Sequence, residues 1–478
     1  MTIHLKRLSI ALAAACIATP ALAQDADIDK VRAATARLIA QLVDQGVLAR
    51  DKGESLLKDV NTPAASAPGR ATATASGAAG AKPGTVRVPF VPDFVRKEIK
   101  DEITAELKAQ AVREGWAGPG SVPGWTRSLE WDGDIRMRLQ SDRFADGNAP
   151  QVSITDTNRT RALALANTSE DRNRLRVRAR IGLTATLDEN WSAGVRLTTG
   201  SGTDPLSSNQ TLGNFNNRYT VLFDRAYLRY RQGDSLNVVA GRFGNPWFGT
   251  DLVWANDLSF DGVAAQWTPM LPYGYRGFVT LAAMPVQEVE LTSADKWLFG
   301  AQVGAAYPAT AGRMGGRLGL GYYRYTNLLG QVSGPGSSLN EFTAPQFAQK
   351  GNTYYNISSD PNRPLLGLAA EYQLVNVTGQ VDFPAMAGKR VVLTGDFVRN
   401  LGFKQAEVSQ RVGQDVESRV NGWHLRALVG DTEIKQRGDW QAFMAYKRVE
   451  RDAVLDAFTD SDMRLGGTDA KGLSLIHI

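Results

Sequence analysis

Residues 173–187 read NRLRVRARIGLTATL. Leu175, Val177, Ala179, Ile181, Leu183 and Ala185 fall on one face of an extended chain; Arg174, Arg176, Arg178, Arg180, Thr184 and Thr186 fall on the other, because successive side chains of a strand point to opposite sides. Four arginines on one face cannot look into a soluble core, where unpaired charge is too costly. One face therefore meets an apolar phase and the other meets water. The pattern repeats along the chain in segments of about ten residues, the length with which a strand crosses a bilayer. The fold class this predicts is an all-β membrane protein, an antiparallel transmembrane β-barrel with an apolar outside and a wet interior.

The N-terminus agrees with export. Lys6 and Arg7 precede an apolar run over 8–17, and Ala21-Leu22-Ala23 stands before Gln24. This is the pattern of a secretory signal peptide over 1–23, with an apolar run too short to span a membrane. Lipoprotein processing at Cys16 fits less well, because Ala13 stands where a leucine is expected. Cys16 is the single cysteine and leaves with the signal, so disulfide, thiol and thiolate-metal chemistry are not expected of the mature chain. No other stretch reaches about 18 consecutive apolar residues, so no helical span is expected. The net charge is +5, and Lys6 and Arg7 leave with the signal. The nearly neutral remainder gives no support to nucleic-acid binding. A mean hydropathy of −0.25 resembles that of a soluble protein, but alternation averages out in such a barrel.

Helical periodicity is confined to the first part of the chain. Val31, Leu38 and Leu42 recur at helix spacing, Gly46 is a stop, and Leu56 and Leu57 belong to a second short helix, giving a helical hairpin over 24–60. Residues 61–85 are rich in Ala, Pro, Gly, Ser and Thr and read as a flexible linker. Val95, Ile99, Ile103, Leu107 and Ala111 form one stripe that ends at Gly115, so 86–128 is a further helix and its lead-in to the strands. The barrel is expected over 129–472. Residues 473–478, LSLIHI, follow a turn and lack a terminal aromatic, and are expected to be a non-native tail.

Strands are expected near 130–140, 173–187, 191–198, 221–231, 236–242, 258–267, 275–284, 296–307, 317–325, 365–374, 390–400, 421–430, 438–447 and 462–467. Connections alternate: 141–172 is long, 188–190 tight, 199–220 long, 232–235 tight, 243–257 long, and 326–364 the longest. Bacterial barrels have short periplasmic turns and long outer loops, so this parity places the N-terminal helices in the periplasm. The connection 375–389 is the misfit, too long for a turn. An even strand count with both ends in the periplasm implies about 16 strands, two more than the segments found.

At this point the chain resembles the putative porins of Gram-negative outer membranes. The resemblance is carried by VPFVPDFVRKEIKDEI (88–103), GWAGPGSVPGW (115–125), GDIRMRL (133–139), FDRAYLRY (223–230), AGRFGNPWFGTDLVWANDLSFDGVA (240–264) and the helical LIAQLVDQGVLARDKGESLL (38–57). It covers nearly the whole mature chain, and the block around Gly241–Val263 is its most specific part. It implies an outer-membrane barrel with a periplasmic helical N-terminus and passive transport of small solutes, and it assigns no functional residues.

The residues themselves offer two candidate sites. Channel-lining arginines are expected at Arg136 and Arg138 on the first strand, at Arg174, Arg176, Arg178 and Arg180 on the second, and at Arg225 and Arg229 on a third, with Arg231 continuing that row. Stacked guanidiniums favour anions in a pore, whereas a wide wet barrel carries mixed charge anyway; Asp132, Asp134, Asp224, Asp396 and Glu371 are available to balance them. The second candidate is a constriction loop holding Trp247, Asp251, Trp254 and Asp257. It either folds into the lumen or packs on the rim with Trp254 at the lipid interface. Tyr322, Tyr323, Tyr325, Trp267, Trp297, Trp423 and Trp440 read as an interfacial girdle.

His424 is the histidine of the barrel segment, and it lacks a sequence partner for a triad or a metal site. No G-x-S-x-G, H-E-x-x-H or Walker A stretch occurs, so no enzyme, cofactor or metal is expected. The function expected is diffusion of small hydrophilic solutes, with anions favoured if the arginine rows dominate. The alternative is a structural anchor tethered to the cell wall by its helices. The partners expected are outer-membrane lipid, the solutes or anions themselves, a homotrimer, peptidoglycan, and no nucleic acid.

Overall fold

The computed structural model describes residues 124–148, 151–290, 292–309 and 312–478. The expected signal peptide, helical hairpin, linker and the helix before Gly115 lie outside these residues.

Alternation produces the strands, and they assemble in sequence order. A 3-10 turn at Gly124–Ser128 leads into β1 (Leu129–Asp142), β2 (Arg172–Thr186), β3 (Trp191–Thr199), β4 (Val221–Gln232), β5 (Leu236–Gly244), β6 (Ser259–Trp267) and β7 (Arg276–Gln287). Then follow β8 (Lys296–Tyr307), β9 (Gly315–Thr326), β10 (Gln373–Pro384), β11 (Arg390–Asn400), β12 (Asn421–Gly430), β13 (Gln441–Val449) and β14 (Ala470–His477). These fourteen form one path of neighbours in a 15-stranded sheet; the fifteenth strand, Gln210–Thr211, pairs beside β2. Every pairing along the path is antiparallel, as between β1 and β2 or β13 and β14. Among the described residues no helix is long and apolar enough to cross a membrane.

The two faces are as the alternation demands. Trp131, Ile135, Met137 and Leu139 of β1 are exposed, as are Leu175 and Ile181 of β2 and Leu473 and Leu475 of β14, while Gln140, Arg176 and Arg178 are buried. An apolar outer skin over a polar inner face is stable only against lipid. The turns have local causes. In the connection between β2 and β3 the Asp188 carboxylate accepts from the backbone N–H groups of Asn190 and Trp191, an Asx-type closure. Gly241 and Gly262 face each other across β5 and β6, both at positive φ. A Cβ there would come within 2.5 Å of the Ala226 carbonyl and 2.3 Å of the Ala283 carbonyl respectively, so glycine is required at both.

Two strands lie elsewhere than the sequence reading puts them. The tenth is not 365–374 but Gln373–Pro384. The apolar run instead forms a short strand, Leu366–Leu368, that pairs with Tyr354–Asn356 apart from the main sheet, and Leu368, Ala369, Ala370 and Tyr372 are buried there. The move shortens the misfit connection to 385–389, which now obeys the loop parity. The last strand is not 462–467 but Ala470–His477, so residues 473–477, expected to be a tail, pair with β13 from Leu473 opposite Tyr446 to His477 opposite Ala442. The path has fourteen strands where about 16 were expected. Its edges β1 and β14 are not paired with each other, but both line one cleft of about 850 Å³.

The apolar core does not lie between layers. It is built on the inner face of the sheet mainly from connecting segments: Leu252, Trp254, Leu368, Tyr372, Val408 and Val454 join Tyr323 and Tyr325 of β9 in one buried cluster, and the half-buried Phe458 packs against it. A short helix, Gln405–Val412, contributes Val408 and ends at Gly413 in the left-handed conformation.

Candidate functional site

The loop between β5 and β6, residues 245–258, turns into the interior and is held there from many sides. The Gln266 amide of β6 donates to the Pro246 carbonyl at 2.7 Å. Gln302 of β8 accepts from the Phe248 N–H at 2.8 Å and donates back to its carbonyl at 2.6 Å. The Thr250 hydroxyl donates to Asp396 of β11 at 2.6 Å. Asp251 lies 3.1 Å from His424 Nδ1 of β12 and 3.4 Å from Lys447 Nζ of β13. Asp257 returns to β2, at 3.2 Å from Arg178 and 3.4 Å from Arg180, and accepts from Ser208 at 2.6 Å. The loop thus spans the interior from one wall to the other.

Its centre is apolar. Trp254 is 2% exposed and meets Phe260 and Tyr323 edge-on at 5.2 Å each, with Phe458 at 6.3 Å. Trp247 packs edge-on against Tyr323 at 5.0 Å, over Gly300, where a Cβ would come within 2.6 Å of its ring. Of the two placements the sequence allowed for this loop, the structure has it folded inward; Trp254 is an interior anchor and not a rim residue. Tyr323 and Tyr325 are likewise buried and so are not girdle residues, whereas Trp267 and Tyr322 are exposed.

The arginine rows are interior, but they are paired. Arg174 bridges to Asp142 at 2.9 Å, Arg138 to Asp462 at 2.6 Å and Arg176 to Asp462 at 3.5 Å. Arg178 and Arg180 share Asp134 and Asp257. Arg136 donates to Asn209 at 2.8 Å. Arg225 donates to the Ser259 hydroxyl at 3.3 Å, beside the ion pair of Arg196 with Asp224, and Arg229 lies 4.9 Å from the centre of the Tyr227 ring. Asp134 and Asp224 were legible as balancing acids. Asp462 was not, because the DMRLGG stretch around it imitates a strand, whereas the structure puts it in the loop 450–469 that reaches back to β1 and β2.

That loop carries a second lock. Asp456 accepts from the Tyr354 hydroxyl at 3.0 Å, and Asp452 accepts from the hydroxyls of Thr353 and Tyr372 at 2.6 and 3.1 Å. Asn352 and Gln349 add bonds to the same loop. Burial pushes the Asp456 carboxyl up to about 7, against the Tyr354 hydrogen bond and with help from the neighbouring Asp452; burial also raises Asp452. An acid whose folded value lies above its free value favours the docked state while it is protonated. Docking of 450–469 on 327–372 is therefore firmest below the ordinary carboxylate value, weakens as pH rises from there to about 7 and is level beyond it. Cleavage of these loops by a protease, normalised at each pH to a denatured substrate, should be several-fold slower at pH 5 than at pH 8. Asp456→Asn should remove most of that difference; an undiminished difference would assign it elsewhere.

Among the described residues no cluster of His, Cys, Asp and Glu is arranged to hold a metal ion. The arrangement is an interior crossed by the loop 245–258, with two cavities beside it. One of about 1040 Å³ meets Asp257 and Leu258, and one of about 290 Å³ meets residues 248–251.

The sequence model of a family described as "Putative porin" matches residues 32–477. No curated protein matches the chain. Among solved structures, the chain is similar to Pseudomonas putida OprB, at 13% identity over 73% of this chain and 79% of that one, with a TM-score of 0.38. It is similar also to Salmonella typhi OmpF, at 9% identity over 73% and 96% with a TM-score of 0.36. A trimer form of Vibrio cholerae OmpT matches at 7% identity over 72% and 99%, with a TM-score of 0.31.

Proposed function

The chain belongs to the putative porin family, and from that premise we propose that it is an outer-membrane pore through which small hydrophilic solutes diffuse passively, without enzymatic turnover. The observation that carries the reading is the loop 245–258, bonded to β2, β8, β11, β12 and β13 across a polar interior. A pore that retains water but limits solute size needs such a partition, and a pure membrane anchor has no use for one. On this reading the sheet closes edge to edge. The cleft shared by β1 and β14 and the reach of Asp462 to Arg138 support that closure.

Ion pairing takes much of the charge from the arginine rows. Four carboxylates, Asp134, Asp142, Asp257 and Asp462, face the five guanidiniums of Arg138, Arg174, Arg176, Arg178 and Arg180 at short range, and a paired guanidinium offers a passing anion little net field. The pore as a whole is therefore read as open to neutral solutes. The expected periplasmic helices lie outside the described residues.

Liposomes carrying the full chain should swell in isotonic arabinose, and more slowly in a disaccharide. Liposomes that swell in neither would overturn the pore and favour the anchor.

A further inference from the structure

One rung of the inner face reads Arg317, Gln380, Thr394, Arg426, Ala445 and Ser474 across β9 to β14, each opposite the next. Two guanidiniums on this rung are held by rings and not by acids. Arg317 lies 4.1 Å from the centre of the Phe248 ring and 4.5 Å from that of Phe278; Arg426 lies 3.9 Å from that of Phe443. A ring face holds a cation without using its N–H groups. Arg426 Nε is buried without a hydrogen-bond partner, and among the described residues no ion pair joins this guanidinium to a carboxylate. Such a group in a native interior calls for an explanation.

Arg426 lines the cavity of about 290 Å³ together with Phe248, Gln380, Thr394 and Ser474. At roughly 30 Å³ per water molecule, that volume accommodates one small organic solute. The other charges on its wall are committed. Asp251 is beside Lys447 and His424, Asp460 is within 3.8 Å of Lys447, and Asp462 serves Arg138 and Arg176. One cation without an ion pair, attracted by Asp251 only at longer range, hydroxyl and amide neighbours, and nearby carboxylates that would repel a dianion select a singly charged, hydroxyl-bearing guest.

We propose that Arg426, with Thr394 and Gln380, is a recognition site for small hydroxylated monocarboxylates at the inner side of the bridging loop. The guanidinium fork takes the carboxylate through two parallel N–H bonds, and the Thr394 hydroxyl and Gln380 amide take the guest's hydroxyls. The inference deepens the pore reading and rests on it for access from outside.

The test is calorimetric titration of the detergent-folded full chain with gluconate and, as its neutral counterpart, glucose. The wild type should bind gluconate at least tenfold more tightly than glucose. Arg426→Gln should lower gluconate affinity tenfold or more and leave glucose unchanged, as expected for loss of a charge-assisted pair. Thr394→Val, which keeps the charge, should lower it about threefold and decides the matter should the first variant not fold. Arg363→Gln, on an exposed loop, should change neither. Equal gluconate affinity in wild type and Arg426→Gln, or no preference over glucose in the wild type, overturns the site. Conductance of the reconstituted protein separates the two readings: a conducting protein without gluconate preference keeps the pore and loses the site, and a non-conducting one that binds gluconate through Arg426 does the reverse.

Discussion

Trp254→Ala should lower the stability of the folded protein by about 3–5 kcal/mol, the usual cost of emptying a large aromatic site, and should raise single-channel conductance. The indole is the joint between three parts of the interior. It touches Phe260 at the root of its own loop, Tyr323 and Tyr325 on β9, and Phe458 on the loop 450–469. The backbone is tied at the same place, where the Ala255 N–H donates to the Phe458 carbonyl at 2.9 Å. Truncation leaves a void that the antiparallel wall cannot collapse to fill, because the ladders fix strand spacing. The loop then keeps its polar ends but loses its centre, and it should spend time away from the axis. Denaturant midpoint and conductance are the two readouts. A variant with wild-type conductance would show that the polar ends alone hold the loop.

Asp257→Asn should shift ion selectivity towards anions and cost on the order of 2 kcal/mol, the scale for removing one partner of a mostly buried charged hydrogen-bond network. In the wild type two arginines, Arg178 and Arg180, face two carboxylates, Asp134 and Asp257. The substitution leaves that group one positive charge in excess at the point where the loop meets the wall. Burial opposes ionisation of Asp257, but the Ser208 hydrogen bond and the charges of Arg178 and Arg180 outweigh it and hold its carboxyl below the usual carboxylate value. A depressed folded value means that the charge, and the stability it brings, persists as pH falls and is lost only below the ordinary carboxylate range. The offset in reversal potential between wild type and the Asn variant should therefore stay constant from pH 8 to pH 5. Identical reversal potentials would place Asp257 outside the ion path.

The strands and the inward loop were legible for different reasons. Alternation declares a strand whenever one face meets lipid, which is why β1, β2 and β8 stand close to where the sequence put them. It fails where an apolar run is buried by other loops. The apolar stretch 365–374 reads as a barrel strand for that reason, while the barrel strand is the more polar QLVNVTGQVDFP of β10. The loop 245–258 was marked by its tryptophans and acids, but its partners Asp396, His424 and Lys447 are far along the chain and carry no local signal. Arg426 passed unnoticed because a single arginine in a strand reads as ordinary lumen polarity; only the register and the ring beneath it distinguish it. The same distance hid Asp462, which pairs with Arg138 and Arg176.

The bridging loop also sets an order of events. Phe248 bonds a residue 54 positions later, Thr250 one 146 positions later, and Asp251 one 196 positions later. Hairpins can zip locally as they emerge, because their loop-closure cost is small, but the loop finds its last partners only when β13 has arrived. β13 is itself part of the wall, so the loop is fixed at its far side only as the wall is being completed. Whatever delays β13 therefore also delays the loop, and a Lys447→Met chain should refold with its loop exposed to protease for longer than the wild type.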